Sequence, residues 1–485
     1  MSLSAALSTA KSSLAATSKQ TAVVSRNISG VNDADYSRRT ASLVSGPYGS
    51  LYVYVTRSTN EALFNRYIQS NSSAASSSVL ASGLDSLSSI YSADNYSGSP
   101  SALMSDLRDA LQTYAASPSN SSLGDSVVST AQALANALNE GTQQVQAIRE
   151  DADSEIAVSV ANINDLLAKF EQVNNDVVSG TRAGRDVSDA LDQRDALLKQ
   201  LSSELGITTM TRGDNDMVIF ADNGVTLFET TAREVTFQPS GSLAAGSSGN
   251  AVLVDGVPLS HDTFDQPYGT GRLSGLLQLR DQIAPQYQMQ LDEIARGLVT
   301  MFSESDQSGN GGADQTGLFS WSGSPAVPGA SLTSGIAGSI KVSSAFVTSE
   351  GGDPSYLRDG GANGTDYVYN TDNASGFTDR LLALNEAFST PFSFDASAGI
   401  KANSSLIDYG SSSISWLEAK RQTANNDYTY NQTVATQASQ ALSNANGVDI
   451  DTEMALLLDL EHSYQASSRV LTTINSMLDD LLDAV

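Results

Sequence analysis

The chain has no cysteine and only two histidines, His261 and His462, in 485 residues. Without thiols it forms no disulfide, no thiolate nucleophile and no thiolate metal ligand. Histidine chemistry has as little to work with: His261 reads as a surface residue in a polar loop and His462 as an interface residue on the last helix. No HExxH, GxSxG, GxxxxGK[ST] or GxGxxG pattern occurs. Cations are scarce too, with 26 Lys and Arg against 54 Asp and Glu and a formal net charge of −28. That balance excludes the basic footprint a nucleic-acid partner needs and suits a soluble, mutually repelling chain. Nothing approaches the roughly 18 consecutive apolar residues of a membrane span. The first residues lack an apolar stretch followed by a cleavage pattern, so no secretory signal peptide is expected, and export would take another route. Carboxylates are so abundant that pairs of them carry no signal. The Asp306–Asp314 segment has oxygen ligands at calcium-loop offsets, but Gly317 stands where a bidentate Glu is expected, so an ordinary turn-rich loop is the reading. No enzyme, cofactor or metal site is expected.

Two apolar seams are present instead, one at each end. Leu3, Leu7, Ala10, Leu14, Thr17, Thr21, Val24 and Ile28 recur every three then four residues, and so do Leu460, Tyr464, Ser467, Leu471, Ile474, Leu478 and Leu481. Such spacing puts one apolar stripe along a helix and calls for a partner helix. Over residues 1–40 five cations face two acids, whereas from Val448 onward Arg469 alone faces eight acids, so opposite charge favours pairing the two ends. Exposed pairs are worth only about 0–1 kcal/mol each, so the seam decides the pairing and charge helps orient it. Fixing two long helices costs more backbone entropy than one seam returns, so the ends are expected to be largely unordered in the free monomer and to fold beside neighbours. The candidate interface residues are Leu3, Leu7, Leu14, Val24, Ile28, Leu460, Tyr464, Leu471, Ile474, Leu478 and Leu481.

Between the seams the pattern predicts a mainly α fold with inserted β: a terminal-helix coiled coil, an elongated helical-bundle domain and a small β-rich domain. Residues 27–38 break the first helix, Gly46–Gly49 make a turn, and 51–57 alternate as a strand. Helical spacing returns at Leu80–Tyr91 and Leu103–Tyr114, with Pro100 and Pro118 at run ends. The longest run goes from about 123 to 178, with a slip near Ile156, and predicts a rod about 80 Å long. Its expected lateral partners are 276–302, kinked at Pro285, and 411–445. From Gly206 to Tyr268 short β pieces alternate with turns, Asn223–Gly224 and Asp255–Gly256 among them. The Gly/Ser-rich stretch 303–375 is expected to join that β unit or to form long surface loops. The expected domains are 1–35 with 447–485 (coiled coil), 36–204 with 276–302 and 376–446 (bundle), and 205–275 with 303–375 (β-rich outer domain).

Met1-Ser2-Leu3, Asn27-Ile28, Asn32, Tyr36-Ser37-Arg38, Gly447–Met454 and Tyr464–Val470, together with Leu191–Asp195 and Gly271–Leu277 followed by Arg280-Asp281, resemble motifs of the flagellar rod, hook and hook-associated axial proteins. Asp33-Ala34-Asp35 departs from the Pro-Gly turn usual there. The resemblance is strong over both ends, fair over the middle helices and weak over 230–270 and 320–440. It implies a structural subunit at the junction of hook and filament that assembles as a ring. It also implies export unfolded by the flagellar type III pathway, with hook protein, a second junction protein and an export chaperone on the C-terminal helix as partners. Nucleic acid and membrane are not expected partners. Another flagellar axial protein, the second junction protein or a flagellin, remains an alternative, as does a surface-displayed adhesive module. Physically, Asp449 reads as an N-cap, Asp451 and Glu453 as first-turn acids favoured by the helix dipole, and Gly447 as the residue that lets the chain turn.

Overall fold

Residues 3–45, 51–259 and 269–483 are described by the computed structural model, with backbone alone at 3–5, 93–94 and 481–483. The Gly46–Gly49 turn and His261 lie outside the described residues.

Helix α1 (Leu3–Ser29) leads into an antiparallel hairpin, β1 (Arg39–Ser45) and β2 (Leu51–Arg57), paired from Arg39↔Arg57 to Ser45↔Leu51. Four helices follow: α2 (Glu61–Ser92), α3 (Pro100–Ala116), α4 (Ser121–Arg182) and α5 (Ser188–Glu204). Ser99 caps α3 through the Ala102 N–H with Pro100 in the first turn, and Asn120 caps α4 through the Ser122 N–H, as unsatisfied helix-start donors require. The 62 residues of α4 make a rod of roughly 90 Å. Its buried stripe passes without interruption through Ile156, from Val127, Leu134 and Leu138 to Ile163, Leu167, Phe170 and Val177.

Short strands come next: β3 (Ile207–Thr211), β4 (Met217–Ala221) and β5 (Thr226–Phe228) form one sheet, β6 (Val235–Thr236), β7 (Leu253–Val254) and β8 (Val257–Pro258) another. The Asp255–Gly256 turn between β7 and β8 has both residues at positive φ, the backbone a two-residue hairpin needs. Helix α6 (Arg272–Gln278) runs into α7 (Ala284–Met301) through one π turn, Leu279–Ile283. That π turn precedes Pro285, whose missing N–H is thereby placed in the first turn of α7.

Residues 303–375 do not stand out as surface loops. Strands β9 (Phe319–Ser320) and β10 (Lys341–Val342) make a separate ribbon, helix α8 is only Tyr356–Asp359, and Phe319, Ile336, Phe346 and Leu357 are buried in the common core. The apolar residues that interrupt the Gly/Ser-rich sequence are the ones that anchor it. Helix α9 (Asp379–Ala387), the ribbon β11 (Phe392–Ser393) with β12 (Asn403–Ser404), α10 (Leu406–Asn446) and α11 (Ile450–Asp483) complete the chain.

The rod α4 packs against α3, α5, α6 and α7. The expectation that 411–445 flanks the rod needs correction: α10 lies chiefly along α2. The contact faces explain this. Helix α2 buries Ser70, Ala74, Ser77 and Ala81, and α10 buries Ala424, Ala435 and Ala438, so small side chains let the two backbones approach closely. In the middle of the rod, buried Arg280 pairs with Asp153 at 2.6 Å, while Arg149 donates to the carbonyls of Arg280, Ala244 and Ser247. This network ties the loop around 240–250 to α4.

Candidate assembly interface

Helices α1 and α11 pack together antiparallel, with Ser13 Oγ 3.4 Å from Ser467 Oγ near the middle and Asn27 beside Glu453 at the base. Val24, Leu460 and Ile474 are buried, and Leu7, Leu14, Ile28, Leu471 and Leu478 are half-buried. Tyr464 is exposed, and the side chains of Leu3 and Leu481 lie outside the described residues. His462 sits on the exposed side of α11. Asp449 does cap this helix: its Oδ1 accepts the Thr452 N–H at 2.9 Å, and that hydrogen bond holds the exposed carboxyl below its ordinary pKa.

At the base of the pair the apolar seam gives way to a polar node. Asn27 Oδ1 accepts from Tyr36 OH (2.8 Å) and from the Arg39 N–H (3.0 Å), and its Nδ2 donates to Arg39 O (2.8 Å) and to Glu453 Oε2 (2.9 Å). Glu453, 0% exposed, also accepts from Arg38 Nε at 2.7 Å. Its role is therefore larger than that of a first-turn acid: it joins the start of the last helix to the end of the first. The Arg39 guanidinium lies over the Tyr36 ring, 4.8 Å from its centroid. Burial raises the Tyr36 pKa. Burial works to lower that of Arg39, but hydrogen bonding and charge from Asp189 leave it raised overall.

The node continues into the bundle. Arg39 donates to Asp189 (2.5 Å) and Asp192 (3.1 Å), and Arg57 to Asp192 (2.7 Å) and Asp195. Arg39 and Arg57 are cross-strand partners in the hairpin, and like charges placed opposite each other repel unless neutralised. The three aspartates, spaced three apart on α5, supply that neutralisation. Lys199 of α5 meets Asp35 at 2.8 Å, and Arg38 N–H and Ser58 Oγ reach the carbonyls of Asn446 and Ala445 at the end of α10. Asp33 Oδ1 accepts the Asp35 N–H at 2.9 Å, so an Asx turn serves where a Pro-Gly turn was expected from the resemblance.

The motif residues noted in the sequence thus meet in one place: Asn27, Tyr36, Arg38, Asp192, Asp195 and Glu453. Arg39, Arg57 and Asp189 were not singled out, although two arginines flanking a hairpin already call for nearby acids. Beside the node a cleft of about 970 Å³ separates α1 and β2 from α5, with Lys19, Arg26, Arg185 and Arg194 on its walls. The second motif acts elsewhere. Gly271, at φ +95°, lies so close to Leu205 that a Cβ would come 2.6 Å from its Cα, and a Cβ on Gly275 would come 2.8 Å from Ser76 O. These glycines seat α6 against the end of α5 and against α2.

Large apolar side chains left exposed are not spread evenly. Of seventeen among the described residues, four lie on the hairpin (Leu43, Val44, Tyr52, Tyr54) and seven on α11 (Ile450, Met454, Leu456, Leu458, Tyr464, Val470, Met477). Concentration on two elements that both pack on α1 marks interaction surfaces on either side of it. At the calcium-like loop, Asp306 spends both carboxylate oxygens on the Ser308 and Gly312 N–H groups.

Residues 84–319 match the family described as flagellar hook-associated protein FlgK helical domain, and 438–484 match the family described as flagellar basal body rod FlgEFG protein C-terminal. The flagellar hook-associated protein 1 of Bacillus subtilis is 22% identical over 99% of this chain and 98% of its own length. That of Escherichia coli is 27% identical over 67% of this chain and 61% of its own length. A solved flagellar hook junction protein FlgK from Burkholderia pseudomallei aligns with a TM-score of 0.42 and 24% identity, covering 53% of this chain and 46% of that one.

Proposed function

We propose that this chain belongs to the family of flagellar hook-associated protein 1 and is a structural subunit joining hook to filament. The observation that carries this reading is the coincidence of two features on the terminal elements. They are locked to the bundle by the Asn27–Arg38–Glu453 node, and α11 together with the hairpin beside α1 carries eleven of the seventeen large apolar side chains exposed among the described residues. An arm held firmly at its base and unfinished along its flanks is suited to assembly.

In this reading residues 1–35 and 447–485 form the arm that enters the assembly, 36–204 with 276–302 and 376–446 form the bundle, and 205–275 with 303–375 form the outer side of the molecule, anchored in the core they share with the bundle. The seam residues Leu3, Leu7, Leu14, Val24, Ile28, Leu460, Tyr464, Leu471, Ile474, Leu478 and Leu481 belong to the arm. Its partners are further copies of the chain, hook protein below and the second junction protein above. Before assembly the exposed side of α11 is open to an export chaperone. The chain leaves the cell unfolded through the flagellar export pathway and works outside the cell by assembly, not catalysis.

Deleting the gene tests the reading. Hooks without filaments, with flagellin in the medium, are expected. Intact filaments would overturn it, and intact filaments with lost adhesion would favour a display module.

A further inference from the structure

The seam between α1 and α11 pairs the two ends of a single chain, which leaves the outer flank of α11 and the hairpin beside α1 for contacts between copies. Both carry exposed apolar side chains. On the hairpin, Val44 pairs with Tyr52 and Ser42 with Tyr54, so Val44, Tyr52 and Tyr54 share the side turned away from α1. Tyr54 is 65% exposed. On α11, Leu456, Ser463, Val470 and Met477 are seven residues apart, which places them along one flank beside the seam.

The two faces lie at one level along the arm. Asn27 is level with Glu453 and Ser13 with Ser467, which brings Gln20 level with Leu460. Gln20 donates to Ala41 O, which fixes the height of β1. Strand and helix rises then put Tyr54 and Tyr52 opposite about residues 462–467 of α11. There the flank carries only Ser463 and Ala466, a gap between Leu456 and Val470. Helix α1 lies between the hairpin and α11, so the tyrosines do not reach the gap on their own chain. Charge agrees: α1, beside the hairpin, carries Lys11, Lys19 and Arg26 and no acid, whereas α11 carries Asp451, Asp459, Glu461, Asp479 and Asp480 among its acids against one arginine, Arg469.

We propose that the Val44–Tyr52–Tyr54 face of one copy docks on the Leu456–Val470–Met477 flank of α11 in a second copy. This rests on the reading of the arm as an assembly element and names the partner of each face. The contact is head-to-tail: each copy offers one face and receives the other, so the array closes into a ring or continues as a helix, and it does not stop at a two-fold dimer.

The absence of cysteine makes a clean test possible. Tyr54→Cys and Val470→Cys variants, distinguishable by tags, are co-expressed in place of the chain, and isolated flagella are treated with a short bismaleimide. A covalent dimer joining one variant to the other is expected, with a ladder when both substitutions are in one chain and no product from Tyr54→Cys alone. Tyr54→Cys joined to itself would overturn the proposal. So would absence of product while a Ser13→Cys, Ser467→Cys control closes within its own chain. Absence of the unsubstituted chain from isolated flagella would overturn the assembly reading itself, and the interface with it.

Discussion

Replacing Glu453 by alanine should loosen the base of the arm without unfolding the bundle. The carboxylate is fully buried and takes two donors, Arg38 Nε at 2.7 Å and Asn27 Nδ2 at 2.9 Å. Stranding a fully buried charge costs about 3–5 kcal/mol. Here Arg38 is about one-third exposed and regains water, and Asn27 Nδ2 keeps its bond to Arg39 O. The loss is then nearer that of a hydrogen bond to a charged group, about 2 kcal/mol, or roughly 30-fold in the opening equilibrium. Native-state hydrogen exchange reads it directly. Peptides covering 20–29 and 450–460 should exchange roughly 30-fold faster, while the α4–α7 core keeps its protection. Glu453→Gln, which retains one acceptor, should have a smaller effect. A double-mutant cycle with Arg38→Ala should show a coupling of about 1 kcal/mol or more. Unchanged exchange in those peptides, or strict additivity in the cycle, would refute the node as the clamp of the arm.

Ile474→Asp puts a carboxylate at a buried seam position; export should continue while stable filaments are lost, and Leu471→Asp and Leu478→Asp should behave alike in a count of filaments by microscopy. In the dilute monomer, exchange protection along α1 should fall from Val24 toward Leu7, since the node holds only the base, and uniform protection to Leu7 would contradict this. Gly271→Ala should lower the urea midpoint by the equivalent of about 2 kcal/mol or more, because φ is +95° and the added Cβ meets the Leu205 backbone. Burial pushes the Asp292 carboxyl up to about 6 from 3.8, although the Gly335 and Ala337 N–H groups bind it. Its folded pKa is above the unfolded one, so stability from this group is lost as pH rises through 6 and fully present below about 4, at most about 3 kcal/mol. Urea midpoints from pH 4 to 7 should show that slope in the native chain relative to Asp292→Asn, and parallel profiles would contradict it.

What the sequence discloses, and what it conceals, follows from the kind of contact each element makes. Heptads over 3–28 and 460–481 and the long run through α4 are legible because large apolar residues repeat at helical spacing. Helix α2 begins at Glu61, well before Leu80, yet after Leu63, Phe64, Tyr67 and Ile68 it offers no such repeat until Val79. It is held by serines and alanines against α10, and small residues that permit close approach leave no hydrophobic period to read. The same cause sent 411–445 to the rod in the pattern and to α2 in the fold. Residues 303–375 are anchored by single aromatics between turns, again without period.

The polar node was out of reach for a different reason: its members come from α1, the following loop, the hairpin, α5 and α11, and no local rule joins Asn27 to Glu453 across 426 positions. Only the paired arginines of the hairpin gave a local hint. The seams themselves teach the last point. A heptad names the first partner of a helix, and in this chain that partner is its own other end. The second partner is written in the flanking positions, where Leu456, Val470 and Met477 fall on one heptad register, with Ser463 at the remaining place, and are exposed among the described residues. An interval kept on an exposed flank costs solubility in the monomer and returns nothing unless another molecule buries it, which is why that flank, more than the seam, points to the neighbour.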